Sequence, residues 1–259
     1  MKLTDEGNTS FVFHPSSFLT QNIDKISAII CVFANNLVTL PSFSTDLSFL
    51  LCKLVTMLFE SQFIDLKNLL PWNKKRAQQS AIRAIIEQRR RVYPESAIAA
   101  DSATIIAHIE QMRHFQDAKT ILAYYPIHNE VDLRALLEKY RDSKTILLPV
   151  THRHYMEVRR YEGEEMLQCG RMRVPEPQGE AYIGKIDLIL VPGVVFDTKC
   201  RRIGRGGGYY DKFLRRHKES FKVGVCFDFQ LKHQPLPTLW HDQAMNRVVS
   251  PSLVVDRNQ

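Results

Sequence analysis

Four glycines within five positions are the clearest candidates for chemistry in this sequence: Gly204, Gly206, Gly207 and Gly208. Glycine carries no Cβ, so the main chain can approach an anion closely, and the first amide groups of a helix lack partners inside the helix. A buried-strand pattern at 186–191 precedes the glycines, and a helical pattern at Tyr209–Arg216 follows them. Arg202 and Arg205 add positive charge at the same place. The order strand, glycine loop, helix predicts a site for a polyphosphate.

The glycine stretch does not match the common nucleotide-binding motifs. It lacks the Gly-Lys-Ser/Thr ending of a P-loop, and its glycines follow an arginine-rich excursion rather than the strand itself, unlike a dinucleotide-binding fingerprint. A flexible turn before a helix is the alternative interpretation. The flanking residues favour a specific motif, because Pro-Gly-Val-Val-Phe-Asp at 192–197 and Gly-Arg-Gly-Gly-Gly-Tyr-Tyr-Asp at 204–211 enclose a short basic spacer.

This signature resembles the 5-formyltetrahydrofolate cyclo-ligase family, also called methenyltetrahydrofolate synthetase. The resemblance covers residues from about 73 to 255. It implies an α/β fold with an open, mostly parallel or mixed sheet between layers of helices. It also implies an ATP- and Mg²⁺-dependent enzyme that converts 5-formyltetrahydrofolate to 5,10-methenyltetrahydrofolate and releases ADP and phosphate. The expected partners are ATP and 5-formyltetrahydrofolate, with no nucleic acid and no membrane, and we expect a cytoplasmic monomer.

The resemblance assigns nucleotide binding to the glycine loop and to basic residues before it. Arg83 matches an arginine that the family carries in an early Lys-x-x-x-Arg pattern, where it touches nucleotide and substrate. This sequence has Gln79 at the lysine position, and the nearest lysines are Lys74 and Lys75. Gly207 stands where some members of the family carry lysine. The expected ATP-binding residues are Lys75, Arg83, Arg202, Gly204, Arg205, Gly206, Gly207, Gly208, Tyr209, Tyr210 and Asp211.

Asp211 and Asp242 are the candidate metal ligands. Asp211 follows the glycine loop, and Asp242 lies in a polar turn before the predicted closing strand. Carboxylate oxygens suit Mg²⁺, which bridges nucleotide phosphates and retains waters. By themselves the two residues could equally be a first-turn helix residue and a solvated turn residue. The resemblance assigns both to Mg²⁺.

The segment after the strand predicted at 120–125 supplies candidate substrate contacts. It joins a strand end to a helix start, which is the usual place for a site in an open α/β sheet. The resemblance assigns folate contacts to Tyr125, Glu130, Arg83 and Tyr209. A carboxylate at Glu130 could accept hydrogen bonds from the amino and ring N–H groups of the pterin, although alone it could be a helix-start acid.

The expected catalytic residues are Arg205, Tyr209 and Tyr210. The two tyrosines could offer an aromatic wall and hydroxyl donors near the formyl group. Paired tyrosines at a helix start could also serve only in packing.

Composition indicates a globular protein with an acidic partner. With 259 residues and 44% hydrophobic content, the chain can bury a full core. The formal net charge of +7 suits nucleic acid, an anionic membrane or a small polyanion, and it does not choose among them. The five cysteines are odd in number and include no Cys-x-x-Cys pair, so a reducing compartment is the simplest setting.

Residues 1–72 differ in composition from the rest, and the resemblance does not reach them. The apolar stretches 26–34 and 47–59 are interrupted before either reaches the roughly twenty residues needed to span a bilayer. The start also lacks the pattern of a signal peptide. We expect residues 1–72 to be an accessory extension, or a segment translated from a start codon placed too far upstream, and 73–259 to form the α/β domain.

Hydrophobic periodicity after residue 73 predicts two helices and then alternating strands and helices. The first helix, at 74–91, has a buried stripe at Ile82, Ile85 and Ile86, and the second runs from 95 to 114. A loop with two prolines is predicted at 173–179. This βαβ alternation favours a parallel or mixed sheet with helices packed on it. The predicted strands are 120–125, 145–150, 156–161, 186–191, 222–227 and 246–249, and the further helices are 131–140 and 209–216.

The sequence leaves two other functions open. A nucleic-acid-binding module could use a basic stripe that consists of Lys74, Lys75, Arg76, Arg89, Arg90 and Arg91. Those residues could equally be a solvated helix face, and no RNA-recognition signature accompanies them. Gln79 also allows a catalytically silent relative that binds ATP or folate as a sensor. ATP-dependent consumption of 5-formyltetrahydrofolate would distinguish the enzyme from both.

Overall fold

Three helices begin the described part of the chain, and twelve strands with two further helices between them follow. The computed structural model describes residues 71–127 and 129–257, so the expectations for residues 1–70 lie outside the described residues. The helices are α1 (Pro71–Arg91), α2 (Glu95–Gln111), α3 (Arg113–Asp117), α4 (Arg134–Tyr140) and α5 (Tyr209–Arg216), with 3₁₀ turns at Glu164–Met166 and Asp228–Gln230. The strands are β1 (Thr120–Leu122), β2 (Thr145–Thr151), β3 (Met156–Arg160), β4 (Leu167–Cys169), β5 (Pro175–Pro177), β6 (Leu188–Pro192), β7 (Val195–Asp197), β8 (Arg202–Ile203), β9 (Phe221–Val225), β10 (Leu231–Lys232), β11 (Arg247–Val249) and β12 (Val254–Asp256).

Seven strands form the main sheet, in the order β12-β11-β9-β6-β1-β2-β3. The central strands from β11 to β2 are parallel, and β12 and β3 pair antiparallel at the two edges. Ile121 of β1 lies opposite Ile146 of β2 and Leu188 of β6. Such apolar central strands are typical of a sheet that is covered on both faces. The structure confirms the predicted α/β class with a mixed sheet.

Helices cover both faces of this sheet, because neighbouring residues of a strand point to opposite sides. Ile121 of β1 packs in one core with Ile109 of α2 and with residues of α3 and α4. Leu122, the next residue, packs in a second core with Phe213 and Leu214 of α5. The described residues therefore form three layers, with α2, α3 and α4 on one face and α5 on the other.

A smaller sheet, in the order β10-β7-β8, carries α1. Ile86 of α1 is buried against Val195 of β7 and Ile203 of β8. Since β7 comes directly after β6 and Gly193, this packing fixes α1 beside the segment that leaves β6.

The strand order reverses next to β1. The strand that follows it in the main sheet, β2, lies on one side, whereas β6 and then β9 lie on the other side. β1 and β6 are parallel, so the segments that follow them leave the sheet at the same edge. In open α/β sheets a binding crevice forms at this position. Glu130 lies on the segment after β1, and the glycine loop, residues 204–208, follows β6, β7 and β8.

The structure corrects several predicted elements. The helix predicted at 95–114 ends at Gln111, because Met112 has an extended backbone and α3 follows as a separate turn. The helix predicted at 131–140 begins only at Arg134. Ile85 of α1 is 55% exposed and does not belong to the buried stripe of that helix. The prediction of a loop throughout 173–179 was wrong, because β5 pairs with β4 there.

Candidate active site

Four segments line a cleft at the reversal of strand order: the second half of α1, the loop after β1, the turn after β6 and the glycine loop. The cleft has a volume of about 660 Å³ and contains four arginines and one glutamate in its wall. This excess of positive charge suits an anionic ligand. Its lining residues are Arg83, Ala84, Glu87, Arg90, Arg91, Asn129, Val194 and Arg205.

The glycine loop needs glycine at two of its positions for backbone reasons. Gly206 has a φ of 102° and Gly208 a φ of 69°, which are left-handed conformations that side chains disfavour. Gly208 is also the N-cap of α5, and its carbonyl oxygen accepts a hydrogen bond of 3.0 Å from the amide of Lys212. The loop therefore turns directly into the N-terminus of α5, where backbone amides and the helix dipole favour an anion.

Arg83 connects α1 to the glycine loop. Its Nε donates a hydrogen bond of 2.7 Å to the carbonyl oxygen of Gly204, and its Nη2 donates one of 3.1 Å to Oε1 of Gln79. Burial lowers the pKa of the Arg83 guanidinium, and the negative charge of Asp242 opposes that shift. The predicted ligand-binding Arg83 is thus fixed at the loop before any ligand arrives.

Gln79, the residue that departs from the family pattern, is buried and links Arg83 to Asp242. Its Nε2 donates hydrogen bonds of 2.8 Å to Oδ2 of Asp242 and 2.9 Å to the carbonyl oxygen of Pro237. The amide of Leu239 donates to the same Asp242 oxygen at 2.8 Å. Lys75, one turn earlier on α1, is exposed. The expectation that Lys75 binds ATP stays a prediction.

Asp211 is held by an ion pair inside the protein. Arg202 donates from Nη2 to Oδ1 of Asp211 at 3.0 Å and from Nη1 to the carbonyl oxygen of Pro192 at 3.1 Å. The amide of Gln243 also donates to Oδ1 of Asp211, at 3.2 Å. Arg202 is only 5% exposed, so its charge serves this internal network and is not presented on the loop surface.

The negative charges of Asp242 and Asp211 both oppose the lowering of the Arg83 pKa by burial, so both carboxylates lie near Arg83. Within the described ranges 71–127 and 129–257, no cluster of three or more His, Cys, Asp or Glu residues could hold a metal ion. Two carboxylates fit Mg²⁺ all the same, because this ion usually takes few protein ligands and completes its shell with phosphate oxygens and water. The assignment of both residues to Mg²⁺ stays a prediction.

Arg205 spans the cleft and pairs with Glu130. Its Nη2 donates to Oε1 of Glu130 at 2.9 Å, and its Nη1 lies 3.5 Å from Oε1 of Glu87. The Arg205 side chain is 40% exposed, whereas that of Glu130 is only 9% exposed. Asn129 takes a left-handed φ of 57° that turns the chain before Glu130. The structure thus brings together three of the predicted residues, Arg83, Arg205 and Glu130, around one cleft.

The three predicted tyrosines differ in their surroundings. Tyr125 directs its hydroxyl to Glu164, and Tyr209 donates to the carbonyl oxygen of Arg153 at 3.2 Å. The Tyr210 hydroxyl is buried and has no hydrogen-bond partner among the described residues. Burial, and then the charge of Glu130, raises the pKa of Tyr210, so this hydroxyl stays protonated. Of the three, only Tyr210 has a hydroxyl whose hydrogen-bonding capacity is not used by a described residue, and this hydroxyl is closed to solvent.

Sequence reasoning missed Glu87 and Arg90 as cleft residues. Arg90 was placed on an exposed basic stripe, but it is 1% exposed and faces Glu130. A signal was present, because Gln79, Arg83, Ile86 and Arg90 recur at helical spacing and share one face of α1. Among the described helices, none is long and apolar enough to cross a membrane.

The fold and the cleft together define an α/β protein with a basic cleft beside a glycine loop, at the reversal of strand order. The model of the 5-formyltetrahydrofolate cyclo-ligase family matches residues 75–251 of the chain. A Schizosaccharomyces pombe protein named probable 5-formyltetrahydrofolate cyclo-ligase is 29% identical over 200 residues, which cover 69% of this chain and 97% of that protein. The 5-formyltetrahydrofolate cyclo-ligase of Escherichia coli K12 is 30% identical over 147 residues, which cover 53% of this chain and 80% of that protein.

Solved structures agree with this match. The structure of 5,10-methenyltetrahydrofolate synthetase from Aquifex aeolicus is 30% identical and superposes with a TM-score of 0.64, covering 70% of this chain and 93% of that one. The Mycoplasma pneumoniae 5,10-methenyltetrahydrofolate synthetase, at 21% identity and a TM-score of 0.54, shares the fold. The chain belongs to the 5-formyltetrahydrofolate cyclo-ligase family, a family of ligase enzymes.

Proposed function

We propose that the chain is an ATP- and Mg²⁺-dependent cyclo-ligase that converts 5-formyltetrahydrofolate to 5,10-methenyltetrahydrofolate, ADP and phosphate. The observation that carries this proposal is the ion pair of 2.9 Å between Arg205 and Glu130, which joins the glycine loop to the segment after β1 across the cleft. These two residues stand at the family positions expected to contact phosphate and folate. A site that joins both substrates is what a reaction between them requires.

The proposed reaction makes the formyl oxygen a leaving group. Attack of that oxygen on the γ-phosphorus of ATP releases ADP and leaves the former formyl carbon joined to N5 and to a phosphorylated oxygen. N10 then attacks this carbon, the C–O bond breaks, phosphate departs and N10 loses its proton. Alignment and charge stabilisation are the main protein contributions to such a reaction, and no covalent nucleophile is needed.

The residues divide into a phosphate side and a folate side. The glycine loop, the N-terminus of α5, Arg83 and Arg205 would hold the triphosphate. Asp211 and Asp242 would hold Mg²⁺, which neutralises phosphate charge when it is bound. Glu130 would accept hydrogen bonds from the pterin, and Tyr210 would donate its hydroxyl near the formyl group.

The match of the family to residues 75–251 supports a catalytic unit at 73–259, with 1–72 as an extension. A cytoplasmic setting and a monomeric state are proposed with it. The purified full chain and a chain that begins at residue 73 should then have the same kcat within about threefold, and a large loss in the shorter chain would show that the extension takes part.

The deciding experiment follows the absorbance of methenyltetrahydrofolate after purified protein is mixed with ATP, Mg²⁺ and 5-formyltetrahydrofolate. We expect turnover that requires all three, that stops on chelation of Mg²⁺, and that falls strongly in Asp211→Ala and Arg205→Ala. Arg216→Ala, an exposed arginine at the end of α5, is the matched control and should keep the wild-type rate. No turnover by folded protein would reject the function, and wild-type rates in both site variants would reject the site.

A further inference from the structure

Arg90 is the most unusual charged residue of the described part of the chain. It lies in the last turn of α1 and is 1% exposed. Among the fully buried side chains of the described residues, it is the largest. Burying an arginine is unfavourable unless other groups compensate its charge and hydrogen-bond capacity. The contacts of Arg90 therefore indicate what it does.

Arg90 contacts two segments that form the cleft. Its Nη2 donates a hydrogen bond of 3.0 Å to the carbonyl oxygen of Gly193, directly after β6. Its Nη1 lies 3.8 Å from Oε1 of Glu130 and 3.4 Å from Oε1 of Glu87. The backbone carbonyl of Arg90 accepts a hydrogen bond of 3.3 Å from Nδ2 of Asn129, the residue whose left-handed turn precedes Glu130. The Glu130 segment is thus attached to Arg90 at two points.

Arg90 and Arg205 both lie near Oε1 of Glu130, but they belong to different elements of the structure. Arg205 stands on the glycine loop and its side chain is 40% exposed, whereas Arg90 stands on a helix and its side chain is 2% exposed. A phosphate that binds at the glycine loop would compete with Glu130 for Arg205. After that exchange, Arg90 is the cation that stays beside Glu130.

The guanidinium of Arg90 also has one hydrogen-bond donor without a partner among the described residues. This donor is Nε, which is buried. Arg90 therefore has hydrogen-bonding capacity that no described residue uses, and its Nη1 already faces the Glu130 carboxylate at 3.8 Å.

We propose that Arg90 is a positioning residue that holds the Glu130 carboxylate in its folate-binding orientation while Arg205 engages the nucleotide phosphate. This inference rests on the proposed function, and it assigns to Arg90 no contact with either substrate. Its loss should therefore weaken folate binding and leave nucleotide binding nearly unchanged.

The first test compares Michaelis constants in Arg90→Met, which keeps an unbranched apolar side chain but removes the charged guanidinium, and in Arg90→Lys. We expect Arg90→Met to raise the KM for 5-formyltetrahydrofolate about tenfold or more and to change the KM for ATP by less than about threefold. Arg89→Met, on the exposed neighbouring position, is the matched control and should change neither constant. Equal rises in both constants would indicate a general structural role and would overturn the inference.

Arg90→Lys covers the case in which Arg90→Met does not fold. A lysine keeps the charge but cannot contact Gly193 and Glu130 together, so we expect a smaller rise that is again confined to the folate KM. Thermal unfolding of both variants gives the folded fraction for each assay. A wild-type folate KM in the folded lysine variant, with Arg90→Met unfolded, would overturn the inference.

The second test is a double-mutant cycle with Glu130→Gln. Because Arg90 acts through Glu130, adding Arg90→Met to Glu130→Gln should change the folate KM by less than about twofold. Multiplying effects would overturn the inference and leave the proposed function intact. If Glu130→Gln alone leaves the folate KM unchanged, the assignment of Glu130 to folate fails together with the inference, so the two failures are distinguishable.

Discussion

Arg202 and Arg205 stand three positions apart on the same stretch of chain, yet their surroundings are opposite. Arg202 belongs to β8, is 5% exposed, and makes its hydrogen bonds to Asp211 and to the carbonyl oxygen of Pro192. Arg205 belongs to the glycine loop, has a side chain that is 40% exposed, and reaches across the cleft to Glu130. From the sequence, both arginines were predicted to bind the same polyphosphate.

The difference shows that residues 202–208 have two roles: β8 supports the structure, and the glycine loop is placed to bind a ligand. β8 pairs with β7, so Arg202 enters the interior, where its charge is matched by Asp211 at the start of α5. The glycines on both sides of Arg205 have no side chains that could pack against it. Its side chain therefore extends over the cleft, where it is 40% exposed. The buried ion pair of Arg202 and Asp211 holds α5, whose N-terminus would receive phosphate. The partly exposed ion pair of Arg205 and Glu130 can open, so Arg205 can bind another anion.

Arg205→Met should produce the largest effect, and the effect should be on activity. If Arg205 faces the transferred phosphoryl group as proposed, removing its charge should lower kcat by about 10²- to 10³-fold. The free energy of unfolding should change by no more than about 1 kcal/mol, because the pair with Glu130 is partly exposed and Glu130 keeps Arg90. The measurement is methenyltetrahydrofolate formation beside urea unfolding of the same preparation. A stability loss of several kcal/mol would remove the distinction between the two arginines.

Arg202→Met should act in the opposite way, mainly on stability. It leaves Asp211 without its ion-pair partner in a mostly buried setting, which should cost about 3 kcal/mol or more of the free energy of unfolding. Adding Asp211→Leu should recover part of that loss, because an apolar pair replaces an unpaired charge. Urea unfolding of the two variants and of Asp211→Leu alone completes the cycle. Wild-type stability in Arg202→Met would show that the buried pair is not a framework element.

Much of the fold was accessible from sequence where a pattern was long or local. The helix predicted at 209–216 has the bounds of α5, because the four glycines of the glycine loop end directly before an amphipathic stretch. β7, β8 and β10 were not predicted, since strands of two or three residues are too short to show an alternating pattern. The strand predicted at 246–249 was confirmed as β11, but β12 follows it at the sheet edge.

Within the site, it was easier to predict which residues take part than to predict whether their side chains point into the protein or into the cleft. Glycines, Arg205 and Glu130 could be selected because their chemistry suits phosphate and folate. The inward turn of Arg202 could not, because it depends on β8 pairing with β7. The spacing of Arg90 with the buried Ile86 indicated its face of α1, but nothing in the helix identified its partner, the carboxylate of Glu130.

Gln79→Lys should give the smallest effect and tests the other end of α1. Gln79 already lies 2.8 Å from Asp242 and 3.1 Å from Arg83, so a lysine there would add a charge beside the predicted phosphate and metal residues. Because the added charge would be partly compensated by Asp242 beside it, we expect the KM for ATP to fall by no more than about fivefold, with the folate KM unchanged. Gln78→Lys adds the same charge at an exposed neighbouring position and should leave the KM for ATP unchanged. Equal effects in both variants would mean that net charge alone matters, whereas a fall limited to Gln79→Lys would mean that the buried amide at Gln79 weakens nucleotide binding without preventing it.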